Sequence, residues 1–223
     1  MLVADCTSAR SIVAFKHDED KVRSPPSPPR PPAHCLGARP AAGPPPLTHQ
    51  PTHTPPAATP PCAPQIRTLD SHKIAASAGP QADCSSFVEF IQRNVALNAF
   101  RTGLALSTKS TASFVKTKLA EALRKNPYQV NLLLGGFDKG EGASLYYIDY
   151  LGAMAKMPFA AHGYAAYFLF STMDSAWKPG MTEAEALALV RVCIAELAKR
   201  FTIHQPHFTV KVADASGIRE IAL

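Results

Sequence analysis

A proline-rich window divides this chain and limits what it can fold into. Of its 21 prolines, 16 fall between Pro25 and Pro64. A globular domain holds roughly 5% proline, so this window is far outside the composition of a packed core. We predict that residues 22–65 are a proline-rich disordered insert. The remaining residues, 1–21 and 66–223, are enough for one domain of common size.

Charge and cysteine content narrow the classes of protein. The formal net charge is +6, but no dense basic stripe occurs, which disfavours nucleic-acid binding. The N-terminus lacks signal-peptide architecture, and the longest uncharged stretch outside the window, residues 157–173, is shorter than a membrane span. The cysteines form no CxxC pair, as is typical of a reducing compartment. They are Cys6, Cys35, Cys62, Cys84 and Cys193. We expect a location in the cytoplasm and nucleus, and no membrane partner.

Hydrophobic periodicity predicts four helices that come in two pairs. Apolar residues recur at helical spacing in residues 87–95, and a second helix begins at Ser107 or Ser110. Residues 164–175 are apolar nearly all round, which predicts a helix buried on more than one side. A capping box opens the last helix at Thr182, with Glu three residues later.

Strand-like segments lie before, between and after these helix pairs. They are residues 11–15, 73–77, 128–136, 143–150, 208–212 and 218–223. Because helices come in pairs between hairpins, the order favours antiparallel sheets over a parallel βαβ fold. We predict an α+β fold, a four-layer α/β/β/α sandwich of two antiparallel sheets with a helix pair on each outer face.

Several motifs in this order resemble one known family. They include residues 125–128 (Lys-Asn-Pro-Tyr), 142–150 (Gly-Ala-Ser-Leu-Tyr-Tyr-Ile-Asp-Tyr) and 161–164 (Ala-His-Gly-Tyr). The chain resembles beta-type subunits of the proteasome core particle, and is most similar to the non-catalytic type-2 branch in its green-lineage form. The resemblance covers residues 66–223 nearly continuously, and residues 1–21 look like the family's second strand and the segment after it.

The resemblance implies a fold and a domain organisation. The fold is that of the N-terminal nucleophile hydrolases. Residues 1–21 and 66–223 would form one proteasome beta-type domain that lacks its first strand, and residues 22–65 would interrupt it. Relatives join the two sides directly, so both a translated intron and a real insert remain open for this window.

The resemblance also indicates where catalytic residues would lie. Catalytic members use an N-terminal threonine, assisted by an aspartate and a lysine, and Asp5 and Lys21 match those two positions. The threonine would lie about a dozen residues before Asp5, ahead of the first residue of this sequence. Catalytic members also carry Asp-x-x-Ser-Gly-Gly after the last long helix, whereas residues 201–206 read Phe-Thr-Ile-His-Gln-Pro. We therefore expect no catalytic residue, and interpret Asp5 and Lys21 as inherited positions without a nucleophile.

Partners follow from the same resemblance. It implies an obligate hetero-oligomer that contacts other beta subunits in its ring and alpha subunits of the outer ring, with a structural role in protein degradation. We expect no cofactor and no metal, since the histidines and cysteines of the window lack zinc-finger spacing. These are His34, Cys35, His49, His53 and Cys62.

Two other functions remain open. One is an active threonine-type endopeptidase subunit. The other is a proline-rich interaction protein on a degenerate domain, since residues 25–30 (Pro-Pro-Ser-Pro-Pro-Arg) match the PxxP pattern that polyproline-binding grooves recognise.

Overall fold

A computed structural model describes residues 2–5, 10–14, 65–201 and 208–221. These residues form ten strands and four helices. In chain order they are β1 (Leu2–Asp5), β2 (Arg10–Ala14), β3 (Ile66–Asp70), β4 (Lys73–Ala78), α1 (Gln81–Thr102), α2 (Thr108–Ala122), β5 (Asn131–Asp138), β6 (Gly142–Ile148), β7 (Met154–Lys156), β8 (Phe159–His162), α3 (Tyr164–Ala176), α4 (Glu183–Arg200), β9 (Val210–Asp214) and β10 (Gly217–Ile221).

The strands form two five-stranded sheets. One has the order β3-β4-β5-β6-β7, with every neighbouring pair antiparallel. Side chains alternate between its two faces. Leu132 and Leu134 belong to the cluster that includes α1 and α2, while Leu133 belongs to the cluster shared with the second sheet. The helix pair α3 and α4 packs on the second sheet, through the cluster of Leu169, Val190 and Val210 among others. The predicted four-layer sandwich is confirmed.

Strand direction in the second sheet differs in one respect from the prediction. Its order is β10-β9-β1-β2-β8. The hairpins β1–β2 and β9–β10 are antiparallel, but β1 runs parallel to β9 and β2 runs parallel to β8. Strands β8 and β9 run in opposite directions, so the two strands of the hairpin β1–β2 are either both parallel or both antiparallel to the strands beside them. Here both are parallel. The sheet is therefore mixed, and the antiparallel pattern holds only inside its hairpins.

Local sequence signals account for the helix ends. The side chain of Ser107 accepts a hydrogen bond from the Ser110 backbone N–H, so α2 begins at the first of the two predicted positions. Gly103 ends α1 in the left-handed conformation, with φ of 69°. The capping box between Thr182 and Glu185 is present at the start of α4.

Helix α3 is less buried than its composition predicts. Its fully buried residues are Ala165, Leu169 and Met173, which recur every fourth residue and so form a single stripe. Tyr167 is 84% exposed on the opposite side. The expected burial on more than one side is therefore wrong for the isolated chain, because the elements that contact this helix most, α4 and β8, cover one side of it. Among the described residues, no helix is both long and apolar enough to cross a bilayer.

Candidate functional site

The predicted pair Asp5 and Lys21 is only partly described. Asp5 is the last residue of β1, and its backbone pairs with that of Arg10 in β2. Lys21 lies outside the described residues, as do the window histidines and cysteines and residues 202–206. No distance between the two side chains is defined. Their role as inherited positions therefore stays a prediction.

A buried histidine lies between the two sheets and was not singled out by sequence reasoning. His162 ends β8 in one sheet, and its Nε2–H donates a hydrogen bond of 3.2 Å to the carbonyl of Leu132 in the other. Its ring stacks on Tyr147 with 4.1 Å between centroids. Burial lowers the pKa of His162 to about 4, against the smaller opposing effect of the hydrogen bond to Leu132. The imidazole is therefore neutral near pH 7 and acts as a polar link between the sheets.

A second polar group is buried at the start of β4. The Lys73 side chain is 3% exposed, and its Nζ lies 3.1 Å from Oδ2 of Asp70. Burial raises the pKa of Asp70, but the Ser71 backbone N–H and the Lys73 ammonium outweigh it, so that the pKa is lowered overall. The pair fixes the turn between β3 and β4.

The C-terminal end of α1 presents large apolar side chains to solvent. Phe100 is 87% exposed and Leu104 is 72% exposed, with Leu97 beside them at 45%. We call these three residues the α1–α2 surface. Leu97 also lines a groove of about 270 Å³ between the two helices, together with Arg101 and Phe114 among others. Exposed apolar clusters of this kind mark interaction sites.

Helix α3 carries a comparable surface. Tyr164, Tyr167 and Phe170 recur every third residue and are 57%, 84% and 37% exposed. We call these the α3 surface. Tyrosine is common at protein interfaces because it combines a large apolar ring with a polar hydroxyl. Sequence reasoning did not predict the α1–α2 surface. For α3 it interpreted Tyr164 and Tyr167 as core or interface aromatics, and the structure leaves both exposed.

The arrangement as a whole is a sandwich of two sheets between two helix pairs, with apolar side chains exposed on both helical layers. A family model described as "Proteasome subunit" matches residues 57–213. The chain belongs to the proteasome subunit family, among its beta-type members, and its fold is that of N-terminal nucleophile hydrolases. It is thus a subunit of the threonine-type peptidase complex that this family builds.

Curated relatives agree with the type-2 resemblance. The chain is 48% identical to proteasome subunit beta type-2-B of Arabidopsis thaliana, over 70% of this chain and 78% of the relative. It is 46% identical to proteasome subunit beta type-2 of Oryza sativa, over 71% of this chain and 74% of the relative. Proteasome subunit beta type-4 of Saccharomyces cerevisiae is 40% identical, with 70% and 80% covered. The predicted resemblance to type-2 beta subunits is confirmed.

Proposed function

We propose that this chain is a non-catalytic, structural beta subunit of the proteasome core particle. In that role it contributes to ring assembly and to the wall of the chamber in which proteins are degraded. The observation that carries the proposal is the pair of exposed apolar surfaces on a chain of this family. Phe100 is 87% exposed and so contributes little to the stability of the isolated chain. An obligate interface would bury such a side chain.

The absence of catalysis is supported by the sequence that follows α4. Residues 201–206 read Phe-Thr-Ile-His-Gln-Pro, without the Asp-x-x-Ser-Gly-Gly stretch of catalytic members. An N-terminal-threonine-directed covalent inhibitor tests this point on assembled particles. We expect no adduct on this chain, and a stoichiometric adduct would establish the active endopeptidase subunit instead.

The partners we propose are other beta subunits in the same ring and alpha subunits of the outer ring. The α1–α2 surface and the α3 surface are the regions through which this chain would contact them. Both lie on outer layers of the sandwich, where a neighbouring subunit can pack, and both expose large apolar side chains that an interface would bury.

Assembly can be tested by changing the α1–α2 surface. The double variant Phe100→Asp, Leu104→Asp should fold, since both side chains are exposed, but should no longer co-migrate with the high-mass peptidase complex on native gels. Arg191→Asp, at an exposed position of α4, introduces the same type of charge and should still co-migrate. Co-migration of the double variant would remove the α1–α2 surface from the proposal. A wild-type chain that migrates only as a monomer would overturn the proposed function.

The domain organisation is proposed on the same basis. Strand β1 pairs with β9, and β2 pairs with β8, which supports a single domain formed by residues 1–21 and 66–223 with an insert at 22–65. Deleting residues 22–65 should leave assembly intact. Loss of a bound partner on deletion, with assembly unchanged, would favour the proline-rich interaction protein.

The location we propose is the cytoplasm and nucleus. Cys193 is a buried free thiol, which suits a reducing compartment. A fluorescent fusion of the full chain should appear in both compartments, and retention in the secretory pathway would contradict the proposal.

A further inference from the structure

Gly136 lies at the centre of a small polar cluster under the start of α2. In the sheet register it pairs with Lys73 of β4 on one side and with Ser144 of β6 on the other. Residues paired in this way share one face of the sheet. That face is the one covered by α1 and α2. Two residues along each strand, Ala75, Leu134 and Tyr146 pair in the same way, and all three belong to the core cluster that includes α1 and α2.

Thr108, the first residue of α2, lies directly over this glycine. A Cβ on Gly136 would be 2.5 Å from Oγ1 of Thr108 and 3.0 Å from Cγ of Lys73. The first distance is shorter than real Cβ contacts and the second is at their lower limit, so glycine is required for the close approach. The hydroxyl of Thr108 and the stem of Lys73 therefore converge on the same point above β5.

Two hydroxyls in this cluster lack a hydrogen-bond partner within the described part of the chain. They are Oγ1 of Thr108 and Oγ of Ser144, on residues that are 0% and 4% exposed. A buried hydroxyl without a partner has lost its hydrogen bonds to water without replacing them, which lowers the stability of the fold. Lys73 also has unused hydrogen-bonding capacity, because an ammonium has three donors and the described residues give it one acceptor, Asp70.

Two backbone donors at the start of α2 already have side-chain partners. The Thr108 N–H donates to Oδ2 of Asp138 at 2.8 Å, and the Ser110 N–H donates to Oγ of Ser107 at 3.1 Å. An anion would therefore find a helix end whose donors are occupied and a carboxylate beside it. A cation would meet the Lys73 ammonium. The chemistry that remains suits a small neutral molecule that both donates and accepts hydrogen bonds.

We propose that Lys73, Thr108 and Ser144 hold one buried water molecule over Gly136. The water accepts a hydrogen bond from the Lys73 ammonium and bridges the two hydroxyls, which matches the roughly three hydrogen bonds that buried waters typically make. It would link β4, β6 and the first turn of α2, and the inference does not depend on the proposed function.

Removing each hydroxyl tests the bridge in the full-length chain. Thr108→Val and Ser144→Ala should each lower the thermal midpoint by roughly 2–4 °C. The double variant should lower it by less than the sum, because the first change already deprives the water of a partner. The controls for the loss of a hydroxyl are Thr117→Val and Ser113→Ala, at exposed positions of the same helix. Each should shift the thermal midpoint by less than about 1 °C, because surface substitutions are usually close to neutral. A higher midpoint in both single variants, with additive effects, would show that the hydroxyls are simply unsatisfied and would overturn the proposal.

A second measurement keeps the proposal testable if a variant fails to fold. An experimental density map of the wild-type chain, in its assembled state, should show an isolated peak within hydrogen-bond distance of both hydroxyls. A map with continuous contact between the hydroxyls and Lys73, and no peak, would overturn the bridge.

Discussion

The buried histidine predicts a specific loss of stability in mild acid. His162 has a pKa of about 4 in the folded chain, because burial disfavours the charged ring, against about 6.5 in an unfolded chain. Between these values the unfolded state binds more protons than the folded state. Stability contributed by the neutral ring is therefore fully present above pH 6.5 and is lost as the pH falls towards 4.

The magnitude follows from the two pKa values. Relative to pH 7.5, the free energy of unfolding should fall by about 2 kcal/mol at pH 5 and about 3 kcal/mol at pH 4. The charge of Asp149 favours the protonated ring, but burial is the larger effect. Protonation would also place a positive charge against the ring of Tyr147, in the layer between the two sheets.

The assay is urea denaturation of the full chain at pH 7.5 and pH 5, followed by far-UV circular dichroism. His162→Gln is the matched variant, since its side-chain amide can still donate to the Leu132 carbonyl but cannot titrate. The difference in unfolding free energy between the two pH values should be larger in the wild type by about 2 kcal/mol. Histidines elsewhere are present in both chains and cancel.

Carboxylates do not obscure this window. The pKa values of Asp70 and Asp214 lie below their ordinary value of 3.8, chiefly because of hydrogen bonds and nearby cations that outweigh burial. Their stabilising contribution is present above that value and is lost only as the pH falls through the lower, folded pKa. Identical pH dependence of wild type and His162→Gln between pH 7.5 and 5 would refute the assignment of a neutral, buried ring.

Three further substitutions test the fold. Gly79→Ala should cost more than about 3 kcal/mol, because its Cβ would collide with the backbone carbonyl oxygen of Gln129 at a φ of +145°. Gly140→Ala, at positive φ in open space, should cost much less in the same urea titration. Thr182→Ala removes the side chain that caps α4 and should cost about 1 kcal/mol, and an unchanged thermal midpoint would contradict that role. Leu145→Ala, 0% exposed between the sheets, should cost about 2–5 kcal/mol, whereas a loss below 1 kcal/mol would mean that this layer is loosely packed.

Sequence reasoning located the long elements well because their signals are local. The capping box at Thr182, the left-handed Gly103 and the serine cap at Ser107 each act within one helical turn. The hairpin of β5 and β6 was predicted from alternation and an intervening glycine-containing turn, and it is present. The order of helix pairs and hairpins predicted the four layers, because each one-sided helix pair needs a sheet to cover.

Short strands were missed for the complementary reason. Strand β7 has three residues and β8 has four, too few to show a periodicity of their own. They are strands because neighbouring strands supply their hydrogen bonds. The parallel pairing of β1 with β9 and of β2 with β8 likewise joins segments that are far apart in the sequence.

The sequence by itself therefore determined the helix pairs, their caps, the hairpins and the family, all of which depend on neighbouring residues or recognisable motifs. Only the tertiary structure decided which polar groups are buried together. His162 meets Leu132 across two sheets, and Thr108 reaches Gly136 from a different element. The structure also decided which apolar side chains stay exposed, since a helix that is apolar all round can bury only the sides against which the chain supplies a neighbour. The surfaces left uncovered are those through which we expect this subunit to assemble.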